Sequence, residues 1–172
     1  MRISWLSPGS FLYRFSDWVY KLIYVNLLWI LFSLVGVVVL GIFPATAALF
    51  FVIKKWLQGE ELESVFKFFW AKYKANFIKT NLLGILVVIT GVLFYFNLLY
   101  FRSQEGILFY LYYLVLGLAF IFLMMLMYLF PIYVNYDMKI YLTFINSFFI
   151  TLLTPLWTFL MLLGVVGLYF IF

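Results

Sequence analysis

A charge-free stretch over residues 22–53 constrains the fold more than any other part of the chain. A membrane-crossing helix needs about 20 apolar residues, so the stretch is too long for one crossing and short for two. Gly41 and Pro44 divide it, because proline lacks a backbone N–H and disfavours helix at the residue before it. We therefore predict a full span over residues 22–42 and a short second helix over residues 45–57.

The composition indicates a membrane protein. Of the 172 residues, 69% are apolar and 10% are charged, whereas soluble domains have roughly 45–50% apolar and about 25% charged residues. A soluble fold of this length cannot bury so much apolar surface, so lipid must cover it. We predict an all-α fold with a single membrane domain over residues 1–172. It is a polytopic helix bundle of about five transmembrane helices plus interfacial amphipathic helices.

Three further apolar runs are long enough to predict membrane spans, over residues 81–101, 107–130 and 148–172. Two amphipathic segments flank the charge-free stretch, and we expect them to lie in the interface as helices over residues 10–21 and 60–79. Pro131 is expected to end the fourth span, and Pro155 to kink or break the last one.

The basic residues predict the topology. If the short second helix crosses and the N-terminus is cytoplasmic, ten of the 11 Lys and Arg residues lie inside and only Arg102 lies outside. This distribution obeys the positive-inside rule. If the short helix instead re-enters without crossing, the lysines that follow it move to the side opposite the N-terminal basic residues, and the asymmetry is lost. We therefore predict five crossings and a cytoplasmic N-terminus.

The residue types exclude several kinds of chemistry. The chain has no Cys and no His, which removes thiolate, imidazole and the usual zinc chemistry. The carboxylates Asp17, Glu105 and Asp137 fall near predicted interfaces, not at bilayer depth, where ionisable groups are retained for function. We expect no enzyme, and thus no catalytic residue, metal or cofactor; the sequence has no ATP-binding P-loop. Nucleic-acid binding is not expected, because basic residues at membrane edges ordinarily meet the lipid bilayer.

Three groups of residues are candidates for function. The first is a basic, aromatic surface that either anchors on anionic lipid or docks a partner protein: Phe66, Lys67, Trp70, Lys72, Lys74 and Lys79. The second is the helix break, whose small residues permit close helix contact: Gly41, Pro44, Ala45 and Thr46. The third is a stripe of hydroxyls at helical spacing, which we call the hydroxyl stripe: Thr143, Ser147, Thr151, Thr154 and Thr158. It lines a path for a small molecule or forms hydrogen bonds between helices.

Two blocks carry the specific part of a resemblance that runs along nearly the whole chain. They are Gly41-Ile-Phe-Pro-Ala-Thr-Ala-Ala-Leu49 and Phe66-Lys-Phe-Phe-Trp70 followed by Tyr73-Lys-x-Asn-Phe77. The sequence resembles the YesL-like family of bacterial integral membrane proteins, which has no established biochemical activity. The resemblance implies a bacterial cytoplasmic (inner) membrane protein and an association with carbohydrate uptake systems, particularly ABC importers.

The expected function is therefore that of a non-enzymatic accessory component of ABC-type carbohydrate uptake. Its expected partners are the lipid bilayer and an ABC transporter permease or another membrane protein. Two alternatives stay open: a self-contained small-molecule carrier or channel, and a lipid-organising structural membrane protein. The substrate and the existence of a homo-oligomer are open as well.

Overall fold

The computed structural model describes residues 11–136, 139–158, 160, 161 and 163. Its helices are α1 (Phe11–Val35), α2 (Ile42–Leu57), α3 (Val65–Arg102), α4 (Ile107–Tyr136) and α5 (Ile140–Leu153). No strand occurs among the described residues, and the predicted all-α class is confirmed. Asp137, the start of the predicted 10–21 helix and the end of the predicted 148–172 span lie outside the described residues.

The described helices include three that are long and apolar enough to cross a membrane, namely Arg14–Val35 within α1, α3 and α4. The chain is therefore an integral membrane protein. Helices α2 and α5 are shorter, with 16 and 14 residues. Whether α2 crosses the bilayer stays a prediction.

Two helices each join segments that we predicted to be separate. Helix α1 continues from the predicted surface helix into the first span, because no Gly or Pro interrupts residues 11–35. Helix α3 likewise runs for 38 residues from the amphipathic segment into the next span. It begins at Val65, where the Ser64 hydroxyl accepts a hydrogen bond from the backbone N–H of Lys67 at 3.4 Å. The helix therefore begins later than the predicted residue 60, and Glu60, Glu61 and Glu63 precede it.

The break between α1 and α2 comes before Pro44. Helix α1 ends at Val35 and α2 begins at Ile42. Pro44 thus occupies the first turn of α2, where a missing N–H leaves no helical hydrogen bond unmade. The turn contains Val37 and Val38 with φ angles of 58° and 60°. Residues with branched side chains rarely adopt this left-handed conformation, so the sequence pointed to the proline instead.

The prolines of the C-terminal half have different effects. Helix α4 continues through Pro131 to Tyr136, whereas we expected the helix to end at residue 130. Residues 132–134 are buried, and their packing holds this last turn. Helix α5 ends directly before Thr154 and Pro155; Thr154 has non-helical φ and ψ angles of −121° and 54°.

The chain forms two compact units, residues 1–81 and residues 82–172. The first contains α1, α2 and the N-terminal part of α3. Its buried core consists of Val25, Leu28, Phe32, Ala45, Ala48, Val52, Phe69 and Tyr73. The second contains the rest of α3 with α4 and α5, and the latter two helices pack closely along each other.

Candidate functional site

An aromatic cluster centred on Phe32 holds the N-terminal part of α3 against α1. The Phe32 ring stacks on Phe69 and Trp70, with centroid distances of 5.1 and 5.2 Å. The Tyr73 ring lies 5.3 Å away. Such aromatic pairs contribute about 0.5–1.5 kcal/mol each beyond the burial of their area. The cluster therefore keeps the amphipathic part of α3 in one orientation within the first unit.

Two residues of the predicted basic surface are engaged inside this unit. Trp70 is half-buried, with Phe32 stacked on it and the Lys74 ammonium 4.8 Å from its ring centroid. The Lys72 ammonium lies 4.8 Å from the ring centroid of Phe51 on α2. Cation–π contacts of this kind stabilise the packing of neighbouring elements. Trp70 and Lys72 therefore hold α3 in place and are only partly available to a partner.

Three exposed residues of the predicted surface share one face of α3 with Ile78. We call this face the α3 docking surface: Phe66, Lys67, Lys74 and Ile78. At about 100° per residue these side chains fall within an arc of about 120°. Phe66 is 45% exposed and Ile78 is 82% exposed, and both lysines are exposed. Lys79 is exposed too, but it lies outside this arc. Ile78 was not predicted to belong to this surface, because a single apolar residue on a basic face looks like a deviation from the amphipathic pattern.

The helix break allows the backbones of α1 and α2 to lie very close together. A Cβ atom on Gly41 would lie 2.2 Å from the carbonyl oxygen of Ser33. A Cβ atom on Gly36 would lie 2.3 Å from the Cα atom of Gly41. Ala45 and Ala48 follow on α2, and both are fully buried. Small residues at these positions serve helix packing in a membrane.

Thr46 links the two helices through hydrogen bonds. Its hydroxyl accepts from the indole N–H of Trp29 on α1 at 3.0 Å and donates to the carbonyl oxygen of Ile42 at 2.7 Å. Both polar side chains are thereby satisfied inside an apolar region, where an unpaired donor is unfavourable. Pro44 thus favours the start of α2, and Thr46 connects α2 to α1 by a hydrogen bond.

A cavity of about 460 Å³ lies where α1 begins and α2 ends, and the sequence did not predict it. The Trp18 and Trp56 rings meet edge to face in its wall, with centroids 6.5 Å apart. Asp17 borders the cavity and pairs with Lys21 at 2.7 Å, and Glu60 approaches from the turn after α2. The spacing of Asp17 and Lys21 was visible in the sequence, but their proximity to residues some forty positions later was not. We call this feature the interfacial cavity.

The hydroxyl stripe is mostly buried in the second unit. The hydroxyls of Ser147 and Thr151 donate to carbonyl oxygens four residues earlier, at 2.7 and 2.8 Å. The hydroxyls of Thr154 and Thr158 do the same, at 2.7 and 2.9 Å. Thr143 is fully buried. These contacts favour helix packing over a polar path, because the hydroxyl protons already have backbone carbonyl acceptors four residues earlier.

Tyr128 completes this arrangement, and no sequence pattern distinguished it from the other tyrosines. Its hydroxyl lies 2.9 Å from the Thr158 hydroxyl oxygen. The Thr158 hydroxyl also lies 2.9 Å from the carbonyl oxygen of Thr154. The bond between the Tyr128 and Thr158 hydroxyls connects the chain after Pro155 to α4.

Comparisons with known proteins place the chain in a family. A family model described as "Protein of unknown function, DUF624" matches residues 22–98. The uncharacterized protein YesL of Bacillus subtilis (strain 168) is 38% identical over 163 residues, which cover 94% of this chain and 76% of YesL. The chain belongs to this family.

Two other members of the family from the same organism are similar to the chain. The uncharacterized protein YteU is 40% identical over 126 residues, which cover 73% of this chain and 57% of YteU. The uncharacterized protein YesV is 33% identical over 158 residues, which cover 89% of this chain and 74% of YesV. The chain thus spans little more than half of the length of YteU. No solved structure matches it.

Membership in this family confirms the resemblance to YesL-like proteins. It gives no information on biochemical activity, because these relatives are uncharacterized. The family match over residues 22–98 contains the helix break and the α3 docking surface. It does not reach the hydroxyl stripe. Within the described part of the chain, no group of three or more His, Cys, Asp or Glu residues is placed to hold a metal ion.

Proposed function

We propose that this protein is a non-enzymatic accessory subunit of a bacterial carbohydrate uptake system of the ABC type. It binds the importer, through its permease or another membrane component, by the α3 docking surface. The observation that carries the proposal is this surface: Phe66 and Ile78 are exposed beside two exposed lysines. The link to carbohydrate uptake rests on the resemblance to YesL-like proteins.

The aromatic cluster supports a docking role because it fixes the surface before any partner binds. Phe66 contacts Phe32 at 5.7 Å between ring centroids, so its orientation is set while much of the ring stays exposed. A pre-ordered surface loses little conformational entropy on binding. Apolar anchors with a charged rim fit a partner that has an apolar groove bordered by carboxylates.

The proposed location is the bacterial cytoplasmic membrane, with a cytoplasmic N-terminus and five crossings. In this arrangement the lysines of α3 lie on the cytoplasmic side, where the positive-inside rule puts them. The partner contact is then at the cytoplasmic edge of the bilayer. A self-contained carrier has weaker support, because the hydroxyl stripe is engaged in hydrogen bonds within its own helix.

The test is purification of the tagged full chain in mild detergent from its native membrane, followed by mass spectrometry of the co-purified proteins. We expect a permease or ATPase subunit of an importer in stoichiometric amount. The double charge reversal Lys67→Glu with Lys74→Glu should reduce its recovery at least tenfold. Arg102→Glu is the matched control, because this exposed arginine lies at the other end of α3.

A photoreactive amino acid provides a second test that does not depend on affinity. Placed at Phe66, it should form a cross-link to the importer subunit. Placed at Ile107, which is 83% exposed at the start of α4, it should form none. Recovery of the protein alone, or as a homo-oligomer without an importer subunit, would contradict the proposed function.

A further inference from the structure

The interfacial cavity lies at the boundary between the polar and apolar parts of the chain. Lys21, in its lining, is the last charged residue before the charge-free stretch, and Trp56 follows soon after that stretch ends. Trp18 and Tyr24 complete an aromatic wall. Trp and Tyr concentrate where headgroups meet acyl chains, because their rings are apolar and their N–H and O–H groups are polar. This composition of the cavity wall is typical of the headgroup level of a membrane.

The charge of the cavity is opposite to that of the chain as a whole. Its lining includes the three carboxylates of Asp17, Glu60 and Glu61 but only one ammonium group, that of Lys21. The chain as a whole carries a net charge of +5 with only six acidic residues. An anionic headgroup, which the lysines elsewhere attract, is disfavoured here, and a positively charged group is favoured.

One carboxylate remains available to a ligand. The ion pairs of the described residues engage Asp17 with Lys21 at 2.7 Å and Glu60 with Lys55 at 2.6 Å. Glu61 is exposed and takes part in neither pair. An ammonium group between Glu61 and the aromatic wall would gain a charge-assisted hydrogen bond together with cation–π contacts.

Two helix ends of opposite polarity border the same cavity. Trp56 and Gly59 bring the C-terminal end of α2, which is the negative end of the helix dipole and favours cations. Val65 brings the N-terminal end of α3, where unpaired N–H groups attract phosphate. The ammonium group of Lys21, which pairs with Asp17 at 2.7 Å, has further N–H donors that suit phosphate. A ligand with one positive and one negative charge matches this arrangement better than an ion of either sign alone.

We propose that the interfacial cavity binds the phosphoethanolamine headgroup of a phosphatidylethanolamine molecule. The phosphate lies toward Lys21 and the first turn of α3, and the primary ammonium lies toward Glu61 and the two tryptophans. The cavity volume of about 460 Å³ is suited to such a group, since small-molecule sites measure roughly 300–1,000 Å³. The acyl chains extend along the apolar part of α1.

The test measures the lipids that stay bound to the full chain. The protein is purified in mild detergent from membranes that contain both phosphatidylethanolamine and phosphatidylglycerol, and the retained lipids are quantified by mass spectrometry. We expect phosphatidylethanolamine to be enriched at least fivefold over its proportion in the membrane. Glu61→Gln should reduce the enrichment at least threefold, and Glu61→Gln with Trp56→Leu should abolish it.

Glu63→Gln is the matched control, because Glu63 is an exposed carboxylate of the same turn that does not line the cavity. It should retain the full enrichment. Glu61→Gln changes an exposed side chain and leaves the core intact, so it remains a valid test if the double variant does not fold. The proposal is overturned if the wild type shows no enrichment, or if Glu61→Gln and Glu63→Gln have equal effects.

The phosphoethanolamine group also occurs in soluble compounds. A competition experiment distinguishes a soluble ligand from a membrane lipid. Glycerophosphoethanolamine carries the same charges without acyl chains. If it displaces the bound lipid at equal concentration, the site recognises the headgroup alone and accepts a soluble ligand. If only the diacyl lipid binds, the membrane is the source and the acyl chains contribute to affinity.

Discussion

Replacing Gly41 by alanine tests the close contact between α1 and α2. The backbone of Gly41 is helical, with φ −86° and ψ −34°, so alanine fits its conformation without strain. By propensity alone the substitution would stabilise the protein by about 0.4–1 kcal/mol. The close contact with Ser33 predicts instead that the substitution destabilises the protein. The outcome therefore separates the local effect from the packing effect.

The magnitude follows from the geometry at Ser33. The new Cβ atom would lie 2.2 Å from the Ser33 carbonyl oxygen and 2.8 Å from its Cα atom, whereas ordinary contact begins at 3.4 Å. These are backbone atoms, so α1 and α2 would have to separate by about 1 Å, at the cost of contacts along the whole interface. Overpacking of this kind typically costs about 1–3 kcal/mol. After the gain in propensity, we expect Gly41→Ala to destabilise the protein by about 1–2 kcal/mol.

The assay is unfolding in detergent, followed by tryptophan fluorescence during heating or titration with sodium dodecyl sulfate. Gly91→Ala is the control, because Gly91 lies inside α3 and a Cβ atom there would meet no heavy atom within 4 Å apart from its neighbours in the same helix. That variant should be more stable than the wild type by about 0.5–1 kcal/mol. If Gly41→Ala is as stable as Gly91→Ala, then the two helices do not approach as closely as described.

Three further predictions concern other contacts and the topology. Tyr128→Phe should destabilise the protein by about 1 kcal/mol, because it removes the bond to Thr158, and a second substitution, Thr158→Val, should add less than its separate effect. Trp29→Phe removes the hydrogen bond from the indole N–H to the Thr46 hydroxyl. It should cost only about 1 kcal/mol in the same unfolding assay, because Thr46 keeps its hydrogen bond to the Ile42 carbonyl oxygen. The chain has no cysteine, so a single cysteine at Gln104 should react with an impermeant maleimide on intact cells, and one at Gln58 only after permeabilisation. Equal labelling at both positions would contradict the predicted topology.

Local pattern was a good guide to where helices form and a poor guide to where they end. The amphipathic segment before residue 80 and the span after it differ in composition but not in helical conformation, so the structure joins them in α3. Pro131 shows the same limit, since buried neighbours hold the helix beyond it. At Pro131 packing outweighs a local signal, whereas within α3 no local signal ends the helix.

The candidate sites were predictable to different degrees. The helical spacing of the hydroxyls was visible in the sequence, but only the structure showed that Ser147 and Thr151 donate to carbonyl oxygens four residues earlier. The predicted basic surface contained Trp70, and the structure shows this ring stacked against Phe32, more than thirty residues earlier. No spacing rule reports such a contact, because it depends on how α1 and α3 cross.

The sequence alone determined that this is a helical membrane protein of the YesL-like family. Long charge-free runs require lipid, and lipid requires that backbone groups be paired within helices. Tertiary structure decided where α1 turns into α2, which side chains of α3 stay exposed and that a cavity forms beside Trp18 and Trp56. The physical reason is that these features arise from distances between residues far apart in the chain, and hydropathy reports only each residue's preference for lipid or water.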